Sequence, residues 1–153
     1  MSIYTYLKND HQKVKELISK IEELESDEIE KRDKLFNELK KEIIIHSKAE
    51  EKIFYQPLKN EPDTQDEIPH AKEEHAEVEE MLERLSSSSL NGAAWSQLFK
   101  SMTEALFHHI EEEEGEIFTD AKKDLTSEEA MKMEELMRKE KKHIQETVRI
   151  TTR

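Results

Sequence analysis

Four histidines and two glutamates carry the chemistry that this sequence could perform. His46 precedes Glu50 by four residues in IIIHSKAEEKIF (43–54), and His109 precedes Glu113 by four in LFHHIEEEEGEIF (106–118). On a helix, positions i and i+4 share a face about one turn apart. An imidazole nitrogen and a carboxylate oxygen stacked that way can hold one metal ion or reach across to a second. His11 and His75 add one more imidazole from each of two other segments.

The i+4 spacing alone is weak, because acids make up 37 of 153 residues. His46, His70, His75, His108 and His109 all have a glutamate four residues on. Register is what discriminates. His11, His46, His75 and His109 each take a slot in an otherwise apolar stripe, and so do Glu50 and Glu113. Unpaired carboxylates in a helical interior cost roughly several kcal/mol each. Cations explain such a layer more simply than four buried histidines beside two buried acids.

Ligand number narrows the metal. A structural zinc closes with four ligands, whereas six nitrogen and oxygen donors from four helices suit two ions sharing both carboxylates. Imidazole with carboxylate and open positions suits iron, with manganese and zinc as competitors. Two iron ions are therefore expected. The other di-iron signature, Glu-x-x-His on two helices, occurs as Glu67–His70 and Glu140–His143. The first straddles Pro69 and the second lies in a charged segment without an apolar stripe, so that arrangement is rejected.

The elements that would position these residues are long helices. The first, about 3–24, follows Ile3, Leu7, His11, Val14, Leu17, Ile18, Ile21 and Leu24, with Ser2 as its cap. A second, about 28–55, runs along Leu35, Leu39, Ile43, His46, Glu50 and Ile53 or Phe54 and stops before Pro57. A third, about 69–85, carries Ala71, His75, Val78, Leu82 and Leu85. The fourth, about 93–121, carries Trp95, Leu98, Met102, Leu106, His109, Glu113 and Ile117. SSSSLNG (86–92) between them is expected to be a flexible loop. Thr126 to Glu129 spells a capping box that opens a C-terminal helix, about 127–148, expected on the surface or frayed beyond Arg138. Short connections between long helices favour an all-α, up-down-up-down antiparallel four-helix bundle with the additional C-terminal helix, in a single domain spanning 1–153.

Composition agrees and excludes alternatives. The chain is 34% hydrophobic and 40% charged, with two glycines, three prolines and a net charge of −13. Narrow apolar stripes on long helices fit that balance. An acidic chain without a basic stripe is not expected to bind nucleic acid. No apolar run is long enough for a membrane span, and no signal-peptide pattern opens the sequence. Cysteine is absent, which removes thiolate metal sites and cysteine nucleophiles. A cytoplasmic protein, monomeric or weakly self-associating, is expected.

Taken in order, NDHQKV, HSKAEEKIF, EEHAEV and HIEEEEGEIF resemble the hemerythrin-like, or HHE cation-binding, family over nearly the whole chain. The resemblance implies a four-helix bundle around an oxo- or hydroxo-bridged di-iron centre. Glu50 and Glu113 would be its bridging carboxylates and His11, His46, His75 and His109 its terminal ligands. It also implies a small ligand, namely dioxygen, peroxide or nitric oxide. Oxygen carriers of the family have a further histidine one turn before the third-helix one, where this chain has Ala71. His70 and Glu79 are the nearby candidates to complete the set, Glu79 being the better placed. A less saturated centre leaves more room for ligand exchange, so turnover of peroxide or nitric oxide, and sensing of iron or oxygen, stand beside dioxygen binding. Glu51, Glu114 and His108 are expected near the surface, His143 in solvent, and Tyr6, Tyr55 and Trp95 as packing residues.

Overall fold

The computed structural model describes residues 1–151, with side chains described through Thr147; the last residues of the expected 1–153 domain lie outside the described ones. Five helices are present and there is no strand among the described residues. They are α1 (Ile3–Glu22), α2 (29–58), α3 (Glu67–Leu85), α4 (92–124) and α5 (Ser127–Thr151). Ser2 caps α1 through a 3.4 Å bond from the Thr5 amide. At α5 the capping box closes reciprocally: the Thr126 amide donates to Glu129 at 2.9 Å and the Glu129 amide donates to Thr126 Oγ1 at 3.1 Å.

Ring contacts fix the direction of the helices. Tyr4, at the start of α1, packs against Phe54 and Phe118 near the ends of α2 and α4. At the other end of the bundle, Phe36 packs on Trp95, both near the starts of their helices. The Trp95 indole donates to the carbonyl of Leu85, the last residue of α3. Neighbours in sequence therefore alternate up and down, as short connections dictate.

Two apolar clusters fill the bundle. One runs from Val14, Ile18, Ile43, Val78 and Leu106 towards Trp95. The other gathers Ile3, Leu7, Phe54, Tyr55, Ala71, Ile117 and Phe118 with Met133 and Met137 of α5. Between them lies a layer where the stripes turn polar: His11, His46, Glu50, His75, His109 and Glu113, each buried.

Three local features depart from the sequence expectation. α2 does not stop before Pro57; it continues to Leu58 through a π-helical turn, Glu51–Tyr55, in which the Gln56 amide bonds five residues back to Glu51. Pro57 has no N–H to donate, and it sits where the hydrogen-bond ladder already changes spacing. The 86–92 loop is partly anchored, since Leu90 packs on the first cluster and Gly92 takes φ +56° to enter α4. Beyond Arg138, α5 does not fray. It lies along α1 and α2, with Glu140 buried against Lys52 at 2.9 Å and Lys141 bonded to Asp10. No helix among the described residues is long and apolar enough to cross a membrane.

Candidate metal centre

Each of the four layer histidines directs Nε2 inward. Glu50 Oε1 lies 3.4 Å from His46 Nε2 and 3.2 Å from His75 Nε2. Glu113 places Oε1 3.3 Å from His11 Nε2 and Oε2 3.5 Å from His109 Nε2. Two groups result, each able to offer four ligand atoms within 4.8 Å of one another: His11, His46, Glu50 and Glu113, and His75, His109, Glu50 and Glu113. Both carboxylates belong to both groups.

The outward nitrogens form a second pattern. His46 Nδ1 lies 2.9 Å from Asp10, His75 Nδ1 2.9 Å from Glu51, His109 Nδ1 2.9 Å from Glu74, and His11 Nδ1 2.6 Å from Glu114. The carboxylate on α1 serves the imidazole of α2; α2 serves α3, α3 serves α4, and α4 serves α1. This closed ring has approximate two-fold symmetry. On α1 and α3 the serving acid immediately precedes the histidine; on α2 and α4 it immediately follows the layer glutamate. A carboxylate on Nδ1–H fixes the ring and leaves the Nε2 lone pair for a metal. Glu51 and Glu114, expected near the surface, thus bond layer imidazoles, and Asp10 and Glu74 are two more such partners that the sequence reading missed. Lys141 of α5 shares the Asp10 oxygen that receives His46.

The electrostatics follow. Burial alone would lower each histidine pKa, but the carboxylates on both sides outweigh it, raising His46 and His75 to about 9 and His109 to about 10, with His11 also raised. Asp10 is driven up by burial, yet the His46 bond and Lys141 bring it down to about 2. Glu113, opposed by burial, is held well below its ordinary value by His109 and His11.

Tyr55 is not merely packing. Its hydroxyl donates to Glu113 Oε2 and lies 3.4 Å from His109 Nε2, and its ring stacks on His75 at 5.3 Å. Burial, with Glu113 and Glu50 next to it, pushes its pKa well above 10.0. The π turn explains its position. Regular helix geometry would set Tyr55 about 140° around from Glu50, whereas the wider turn brings it inward. A second π turn, Glu113–Ile117, begins at the other layer glutamate, and there the residue five places on is Phe118. The two halves therefore differ by one hydroxyl. They differ also one turn before the histidines: Leu7 precedes His11, while Ala71 precedes His75, on which the Tyr55 ring stacks.

Glu79 is half-buried and lies outside both inner groups. Its carboxyl is raised by burial and by Glu51. His70 is 61% exposed and faces Glu74 and Glu112 rather than the layer. His108 is likewise exposed beside Glu112.

The donor set passes the test for a cation. Both oxygens of Glu50 and Oε1 of Glu113 are buried without a hydrogen-bond donor. His75 Nε2 and His109 Nε2 approach to 3.0 Å, a pairing that one shared cation satisfies and two N–H groups cannot. Next to the layer is a small apolar pocket lined by Val14, Ile43, Val78 and Leu106 together with the four histidines. Its free space is about 20 Å³, room for one water-sized molecule.

A family model described as the hemerythrin HHE cation-binding domain matches residues 2–121. A protein of Nostoc sp. described as a DNA nickase is 24% identical over 131 residues; the match covers 84% of this chain and 36% of that protein. The chain thus spans about a third of that relative's length. No solved structure matches.

Proposed function

This chain belongs to the hemerythrin HHE cation-binding family, and from that premise we propose that its polar layer holds two iron ions and binds dioxygen or a related diatomic. His11 and His46 would hold one ion and His75 and His109 the other, with Glu50 and Glu113 common to both. The observation that carries this is the sharing of both buried carboxylates by two histidine pairs. An iron pair supplies two-electron redox chemistry towards dioxygen, peroxide or nitric oxide.

The chain's own residues do the rest. Asp10, Glu51, Glu74 and Glu114 hold the imidazoles in the tautomer that faces inward. Val14, Ile43, Val78 and Leu106 keep bulk water away and limit the ligand to a small molecule. Tyr55 holds Glu113 in place through its hydroxyl. Turnover of peroxide or nitric oxide is the second reading, favoured by Ala71, which contributes no ligand where the family's oxygen carriers place a histidine. Manganese and zinc are the competing metals. The Nostoc relative's described activity is not carried over, because a net charge of −13 opposes phosphate binding.

The test is the visible spectrum of iron-loaded protein, reduced without air and then exposed to dioxygen. A reversible new band supports binding, and peroxide consumption lost in His109→Ala supports turnover. No iron uptake, or a single zinc per chain, would overturn both.

A further inference from the structure

Two His-x-x-x-Glu spacings contribute neither residue to the inner layer, His70–Glu74 on α3 and His108–Glu112 on α4. The second lies one residue out of register with His109–Glu113, so it points about 100° away around the helix. Helix packing brings the two spacings together on the outside of the bundle. His70 Nε2 lies 3.5 Å from Glu74 Oε2 and 3.6 Å from Glu112 Oε2. His108 Nε2 lies 3.0 Å from Glu112 Oε1 and 3.9 Å from Glu74 Oε2. His70, Glu74 and Glu112 each offer a ligand atom within 4.8 Å of the others.

We propose that His70, Glu74 and Glu112, with His108 beside Glu112, form a peripheral site for one divalent transition-metal cation. An acidic patch alone would be the ordinary face of so acidic a chain. One imidazole grouped with two carboxylates from two helices, and a second imidazole 3.0 Å from Glu112, are a donor set suited to zinc, ferrous iron or manganese. Calcium and magnesium prefer oxygen throughout. The histidines are 61% and 64% exposed, so a hydrated cation can reach them, while Glu74 is only 12% exposed and fixed from behind.

What fixes Glu74 also links the two sites. Its Oε1 accepts from His109 Nδ1 at 2.9 Å, and its Oε2 faces His70 and His108. One carboxylate therefore touches the outer cation and orients an inner imidazole. Glu74 acts as a positioning residue between them.

The test uses the full chain, iron-loaded and freed of excess metal, then titrated with zinc and passed through gel filtration before metal analysis. Wild type should retain one zinc per chain beyond its iron. His70→Ala/His108→Ala should lose that equivalent with its iron content unchanged, and Glu112→Gln, which preserves shape, should weaken zinc binding about tenfold or more. Both histidines are largely exposed, so circular dichroism should show the double variant folded. If iron loading itself fails, the same difference of one zinc between wild type and double variant is expected on unloaded protein. Equal zinc retention by the two proteins, or none by wild type, would overturn the site.

Discussion

Tyr55→Phe isolates one interaction at the centre. The substitution keeps the ring that stacks on His75 and packs beside Phe54 at 5.9 Å. It removes the hydroxyl, which donates to Glu113 Oε2 and lies 3.4 Å from His109 Nε2. Glu113 Oε1 already lacks a hydrogen bond, so in metal-free protein the carboxylate would depend on His11 and His109 at 3.3 and 3.5 Å. A buried hydrogen bond to a charged group contributes about 1.5–3 kcal/mol. Urea unfolding of metal-stripped wild type and Tyr55→Phe, followed by circular dichroism, should show a loss in that range with an unchanged slope. Tyr6→Phe, at a partly exposed ring beside Arg138 and Lys141, is the control and should change stability by less than about 0.5 kcal/mol. A Tyr55→Phe loss as small as the control's would refute the idea that this hydroxyl holds Glu113.

Other outcomes follow from the same geometry. Glu51→Gln and Glu114→Gln should each weaken metal binding by about 10–100-fold while leaving the metal-free fold intact, as read by competition with a chromophoric chelator. Stability of the metal-free protein should depend on pH in a defined direction. His46, His75 and His109 are raised to about 9, 9 and 10 from an unfolded value of about 6.5. Their contribution is therefore complete below about pH 6.5 and lost as pH rises through 9 to 10; unfolding curves from pH 6 to 10 check this. Asp10, lowered to about 2, contributes above about pH 4 and loses that contribution towards pH 2. Metal uptake at neutral pH should release protons from these imidazoles, measurable by calorimetry in buffers of different ionisation enthalpy.

The helices and the six layer residues were legible because each polar residue replaced an apolar one at a known register. His11 between Leu7 and Val14 is the plainest case. The acids that orient the rings were not, because Asp10 and Glu74 sit where an acidic chain places solvated residues, and only the neighbouring helix gives them a partner. Tyr55 was misread for a different reason. Its inward position depends on a π turn, which changes hydrogen-bond spacing without any residue type that announces it. The end of α5 looked unanchored because Glu140 and Lys141 find their partners, Lys52 and Asp10, about ninety and a hundred and thirty residues earlier.

Anomalous diffraction at the iron edge, from crystals of iron-loaded protein, tests the central proposal most directly. Two peaks per chain are expected, one between His11 and His46 and one between His75 and His109, both within bonding reach of Glu50 and Glu113. A single peak, or peaks away from the two carboxylates, would contradict it.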